Sequence, residues 1–305
     1  LRASFNGFLQ FGTAGLRGPI RPGPSGMNRA VVGRAASGIV AYMKERNLTS
    51  VVIGRDARYG SEDFTFETAE IMSGAGMKVY VLPRPLPTPV LAFATNELMC
   101  DVGIMVTASH NPPQDNGYKV YLGGTVDGIY YRGSQIVSPT DEAIAAKIDA
   151  VTSLKSQPRG KVWEVLGEEI IEKYITQTAS LVSNPGALRI VYTAMHGVGG
   201  DTALRAFASA GFDQPVVVAK PRLQWQSQFG LCHQALHLYW LAKLLGPNSQ
   251  GICQCQFRLG PISARHLAWL YQRPWPFRSG LHVVIPQWRR LRHRVQIALL
   301  QKDRS

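Results

Sequence analysis

Gly103-Ile104-Met105-Val106-Thr107-Ala108-Ser109-His110-Asn111-Pro112-Pro113, with Lys119 six positions further on, is the stretch from which the rest of the chain can be read. The four residues Gly103 to Val106 predict a short buried strand, and Asn111 with two prolines ends regular structure after it. A serine at a strand end, beside a histidine and within reach of a lysine, is placed for group transfer. Its hydroxyl is a nucleophile or phosphate carrier, and the lysine and histidine manage protons and charge. Ser and Asn also favour ordinary strand-end turns, so the assignment depends on what surrounds the segment.

Outward from it, strands and helices alternate. Residues 27–46 have helical spacing, with Val31, Ala35, Ile39 and Met43 on one stripe, and Val51-Val52-Ile53 is a short buried strand. Ser61-Glu62-Asp63 reads as a helix start with Phe64, Ala69, Ile71 and Met72 inside, and a strand follows over 78–82. A helix over 90–98, a strand over 101–106, a returning strand over 118–122, a hairpin or flap over 123–132 and a helix over 139–150 complete the series. This alternation predicts a layered α/β/α domain over 1–151 with a mostly parallel, mixed sheet. Residues 152–187 read as linker and helix, the helix over 164–182 with Ile171, Ile175 and Val182 on one face. Residues 188–220 begin a second, incomplete α/β domain, with a strand over 188–192, a helix over 201–210 and Val216-Val217-Val218 as the next strand. Gly197, Gly199 and Gly200 form no dinucleotide fingerprint, which argues against NAD.

The 305 residues, 45% hydrophobic, suffice for two domains with packed cores. No apolar run approaches the ~20 residues that cross a bilayer, and the start carries no secretory pattern. Four cysteines make no disulfide framework, so a reducing cytoplasm is the expectation. A start at Leu1 leads us to expect a cut or processed N-terminus. The net charge of +13 is unevenly spread: residues 1–220 hold 21 basic and 19 acidic side chains, residues 221–305 twelve basic and one acidic. At the acidic density of the first part, the last 85 residues would carry about seven carboxylates. That final part also holds five of the six tryptophans and eleven glutamines.

This atypical basic tail offers Cys232-His233 with Cys253 and Cys255, a spacing that fits none of the usual zinc arrangements. Its tryptophans and the run Arg289-Arg290-Leu291-Arg292-His293-Arg294 fit phosphate pairing and base stacking, but no nucleic-acid module surrounds them, which argues against that role. We expect 221–305 to be disordered or the product of a change of reading frame near codon 220. Sequencing the locus and its transcript tests the latter, and an uninterrupted frame shared by close relatives defeats it.

The segment Thr107 to Pro113, with Asn116-Gly117-Tyr118-Lys119 after it, resembles the phosphoserine loop of the α-D-phosphohexomutases, a family of phosphoglucomutases, phosphomannomutases and some phosphopentomutases. Phe11-Gly12-Thr13-Ala14-Gly15-Leu16-Arg17-Gly18 is similar to the family's N-terminal loop, whose arginine faces the phosphate. Gly54-Arg55-Asp56-Ala57-Arg58, for which a strand-end ion pair is the plainer reading, and Pro87-Thr88-Pro89 stand in the expected order. Val191-Tyr192-Thr193-Ala194-Met195-His196-Gly197-Val198-Gly199 resembles the opening of the second domain. The wording is closest to the phosphoglucomutase/phosphopentomutase branch, and the resemblance stops at about residue 219.

The resemblance implies a phosphosugar mutase moving a phosphoryl group between C1 and the terminal hydroxyl, C6 of a hexose or C5 of a pentose, through phospho-Ser109. Ser109, Lys119, Arg17 and His110 are then the catalytic set, with Lys119 as acid/base and Arg17 forking onto phosphate oxygens. Thr107, Asn111 and Asn116 fall on the substrate and phosphate loop. Mg²⁺ and a sugar bisphosphate primer of the glucose 1,6-bisphosphate type are the implied cofactors, Ser109 binding the metal through its phosphate. The family's Asp-x-Asp-x-Asp-Arg metal loop is missing, since no two of the ten aspartates stand two positions apart. Its sugar-choosing Gly-Glu loop and its Arg-x-Ser-Gly phosphate loop are missing too, so an impaired enzyme is expected. The alternative is a non-catalytic remnant that binds phosphosugar or a partner and carries a basic nucleic-acid-binding tail.

Overall fold

The structure, a computed structural model, describes residues 2–218 together with His282–Val283 and Leu299–Leu300. The contacts divide the chain into two units, Leu1–Gln224 and Trp225–Ser305. The tail's cysteine–histidine group, its tryptophans and its basic run lie outside the described residues.

Alternation along the central strands builds the first unit. In β2 (Ser50–Arg55), Val51 and Ile53 enter one buried cluster and Val52 the other. In β4 (Val102–Val106), Val102, Ile104 and Val106 face the first cluster and Met105 the second. Successive side chains of a strand point to opposite faces, so two covered faces need such near-continuous apolar runs. Helices α1 (Arg29–Glu45), α2 (Ser61–Gly74) and α4 (Thr140–Asp149) supply the first cluster. Helices α3 (Thr88–Glu97) and α5 (Glu169–Ala179) supply the second. The result is the α/β/α layering that the sequence predicts. Asn28 caps α1, its side-chain oxygen accepting from the Val31 N–H.

The remaining strands of this sheet are β1 (Leu16–Pro19), β3 (Lys78–Val81), β5 (Asp115–Val126), β6 (Ile129–Gln135) and β7 (Glu164–Val165). The order is β1-β5-β4-β2-β3-β7, with β6 also paired to β5. Strands β4, β2, β3 and β7 run parallel, and β5 runs antiparallel to β4, β1 and β6. Strand β5 is longer than the sequence predicts, because its first residues pair with β1 and its last with β6. Asp127 and Gly128 take positive φ values of 50° and 81° in the tight β5–β6 turn.

Residues 164–168, expected as the first turn of a helix, instead add β7 to the sheet edge, with Val81 opposite Val165 and Leu166 N–H donating to the Val81 carbonyl at 2.9 Å. Helix α5 starts only at Glu169. The stretch read as linker lies along α2: Gly160 N–H donates to the Glu70 carbonyl at 2.8 Å, and Arg159 pairs with Glu70 at 2.7 Å and with the buried Glu67. A two-residue edge strand with both side chains exposed has no alternation, so nothing in the local sequence announces it.

After α5 the chain forms β8 (Val191–Tyr192), α6 (Gly200–Ser209) and β9 (Val216–Val217), with β8 and β9 parallel. This is one βαβ unit with its valines exposed. In the second unit, β10 (His282–Val283) and β11 (Leu299–Leu300) pair antiparallel.

Candidate active site

Strands β2 and β4 are parallel neighbours, so the residues leaving their carboxyl ends emerge side by side, where ligands bind in open α/β sheets. From β2 come Asp56 and Arg58, and from β4 come Thr107, Ser109 and His110. Asp56 N–H donates to the Val106 carbonyl at 3.1 Å, which joins the two exits. The Asp56 carboxylate accepts from the Thr107 hydroxyl at 2.6 Å, from the Ser61 hydroxyl at 2.8 Å and from the Arg58 N–H at 3.0 Å. Thr107 Oγ1 in turn accepts from the Ser109 N–H at 3.0 Å. Ser109 therefore stands at the end of a short relay anchored on a carboxylate.

Ser109 has φ of 59°, in the left-handed region that residues with a Cβ rarely occupy. Its side chain is exposed, as is that of His110, and the hydroxyl lies 3.4 Å from His110 Nδ1. Asn111 ties the loop to itself, its amide donating to Asp115 at 2.9 Å.

Lys119 and Arg17 come from the sheet. Lys119 lies on β5 opposite Met105 of β4, and Arg17 on β1 opposite Gly117 of β5. The short turn Gly12-Thr13-Ala14-Gly15 places β1 there, with Gly15 at φ 74°. That turn is pinned from far along the chain: Thr13 donates its hydroxyl to Asp141 at 2.5 Å, and Gln135 donates to the Thr13 carbonyl at 2.7 Å. Lys119 is 8% exposed and forms no ion pair among the described residues. Burial, and then the Arg17 guanidinium, hold its amine below the ordinary lysine range. Arg17 Nε is a buried donor without a partner among the described residues. An unpaired guanidinium beside a lysine with a lowered pKa is an arrangement that favours an anion.

The structure thus brings Thr107, Ser109, His110 and Asn111 onto one loop and Arg17 and Lys119 onto the adjoining strands. Asn116 stands where the loop enters β5. Its side chain is 0% exposed, donating to the Tyr59 carbonyl at 2.8 Å and to Ser61 Oγ at 3.0 Å and accepting from the Gly117 N–H at 2.7 Å. These bonds brace the end of the loop from within the protein. Sequence reasoning missed Asp141 and Gln135, which lie more than 120 residues from the turn they hold. It also undervalued Arg58: the expected ion pair with Asp56 exists at 3.2 Å, but the same guanidinium donates to four carbonyls of the serine loop.

Among the described residues no side-chain set fits a magnesium ion. No group of three or more His, Cys, Asp or Glu side chains able to hold a metal occurs among the described residues. Asp56 and Asp115, the carboxylates hydrogen-bonded to the loop, are engaged in the bonds above.

A family profile described as phosphoglucomutase/phosphomannomutase, alpha/beta/alpha domain I, matches residues 9–155. A protein of Haemophilus influenzae named as a phosphomannomutase is 52% identical over 198 residues, covering 64% of this chain and 40% of its own. The phosphoribomutase of Saccharomyces cerevisiae is 38% identical over 230 residues, covering 66% and 35%. A crystal structure of a phosphomannomutase-type protein from Thermus thermophilus superposes with a TM-score of 0.58 at 26% identity, covering 80% of this chain and 53% of that one. The chain spans well under half the length of the curated relatives it matches. With the strand-end serine loop, the order of its motifs and this profile in agreement, the chain belongs through residues 9–155 to the phosphoglucomutase/phosphomannomutase family.

Proposed function

We propose that this chain is a phosphosugar mutase by its first domain, moving a phosphoryl group between C1 and the terminal hydroxyl of a hexose or pentose phosphate through phospho-Ser109. The observation that carries the proposal is one exposed hydroxyl on a loop held in a left-handed turn, leaving a strand whose neighbour bears a buried lysine of lowered pKa, with an arginine on the next strand whose Nε has no partner among the described residues. Loading from a sugar bisphosphate forms a bond from Ser109 Oγ to phosphorus and breaks the bond from phosphorus to a sugar oxygen. The proton lost by serine ends on that sugar oxygen, and Lys119 is the group suited to carry it. Arg17 meets the phosphate oxygens, which is where phosphoryl transfer needs charge neutralised. In the mutase direction phospho-Ser109 gives its group to the free hydroxyl of a sugar monophosphate and recovers the other phosphoryl after the bisphosphate turns over.

A bisphosphate primer and Mg²⁺ belong to this reading as the family resemblance implies them. The described residues supply the ion no cage of carboxylates. For that reason the proposal includes impairment. Relatives that carry the names phosphomannomutase and phosphoribomutase leave the sugar open, and the substrate class is a phosphosugar. A cytoplasmic location stays part of the reading on the strength of cysteine usage.

The test is mass spectrometry of the peptide spanning Ser109 after incubation of the full chain with glucose 1,6-bisphosphate. A phosphate on Ser109, absent from a Ser109→Ala chain, is the expected result. No modification, with a sugar phosphate still bound, would favour the non-catalytic remnant instead.

A further inference from the structure

We infer that Arg58 sets the conformation of the serine loop and, through it, the direction in which Ser109 presents its hydroxyl. Its guanidinium donates to the carbonyls of Pro112 at 2.8 Å, Asp115 at 3.0 Å, Ser109 at 2.9 Å and Asn111 at 2.9 Å. These oxygens belong to both arms of the turn between β4 and β5, so one side chain spans the whole loop. Asp56 holds the guanidinium from behind at 3.2 Å, and both side chains are mostly shielded, at 16% and 14% exposure.

The same pair grips Ser109 on both sides. Asp56 reaches its N–H through Thr107, and Arg58 takes its carbonyl. A left-handed backbone is disfavoured for serine, because its Cβ crowds the following carbonyl. Hydrogen bonds from a charged donor are stronger than neutral ones, so four of them outweigh the strain at one residue. Only a planar fork with five N–H groups meets four carbonyls at once. A lysine keeps the charge and loses that geometry. Arg58 is therefore a positioning residue that acts through the loop. Its consequence for group transfer rests on the reading of Ser109 as the phosphate carrier, while its hold on the loop does not.

The experiment compares full-length wild type, Arg58→Ala and Arg58→Lys. Amide hydrogen exchange is read over 107–117, with α1 as internal reference, alongside phosphate uptake on Ser109 from glucose 1,6-bisphosphate. In Arg58→Ala, loop exchange and uptake should change by about tenfold or more, faster and slower respectively, with α1 unaltered. Added guanidinium ion at millimolar concentration should restore both, urea at the same concentration neither, and Arg58→Lys should fall well short of wild type. Unchanged loop exchange in Arg58→Ala, or full recovery of both readouts by lysine, would overturn the inference. If Arg58→Ala also loosens α1, the comparison of Arg58→Lys with wild type decides. A wild-type chain that takes no phosphate would sink the phosphate-carrier reading, while loop exchange would still uphold or overturn the role of Arg58.

Discussion

Lys119 shows how one position acquires chemistry. Burial and the Arg17 guanidinium both disfavour its charged form, so its amine loses a proton more readily than a surface lysine does. The unfolded chain keeps that proton to the ordinary lysine range. Between the lowered folded pKa and the unfolded one, the unfolded state therefore binds more protons, and stability rises with pH. Below that window the folded protein carries a poorly solvated charge. Lys119→Met should accordingly raise the melting temperature at pH 7 by about 2–4 °C, the size of a change of about 1 kcal/mol. The gain should shrink as the pH climbs through the window. Thermal unfolding by circular dichroism checks it, and a lower melting temperature for the variant at pH 7 would mean that the amine is stabilised by a partner. Ser109, His110 and Lys119 were legible in the sequence because they sit on one short segment. The depressed pKa was not, because part of it comes from Arg17, far back in the chain on a different strand, and the rest from tertiary burial.

At the scale of the element, Gly15 ties the N-terminal turn to the sheet. Its φ is 74°, and a Cβ there would stand 1.9 Å from the Tyr118 carbonyl oxygen. Any side chain must strain the turn and push β1 from β5, carrying Arg17 away from Lys119. Gly15→Ala should cost at least about 2 kcal/mol, read as a lower denaturant midpoint, and slow phosphate uptake on Ser109. An unchanged midpoint would show that the turn relaxes freely. Long helices such as α1 could be read to within a residue or two, because an apolar stripe of period 3.6 needs only local sequence. The opposite holds for β7, whose two exposed residues become a strand only because the edge of β3 is available.

At the scale of the molecule, a whole α/β/α domain is followed by one βαβ unit with exposed valines, in a chain much shorter than its relatives. With Mg²⁺, a glucose 1,6-bisphosphate primer and glucose 1-phosphate, turnover should be lower than that of an intact relative by at least about a hundredfold. That is the loss expected when even one charge-stabilising group is missing from a transfer site. A coupled assay of glucose 6-phosphate formation measures it, and turnover near that of the relative would refute the impairment. By itself the sequence determined the layered fold and the identity of the serine loop, because both are written in local periodicity and contiguous motifs. Only the tertiary structure decided which groups hold that loop. Arg58 and Asp56 reach it from the end of β2, while Asp141 pins the separate turn ahead of Arg17, and hydrogen bonds and burial between distant segments leave no mark on local sequence.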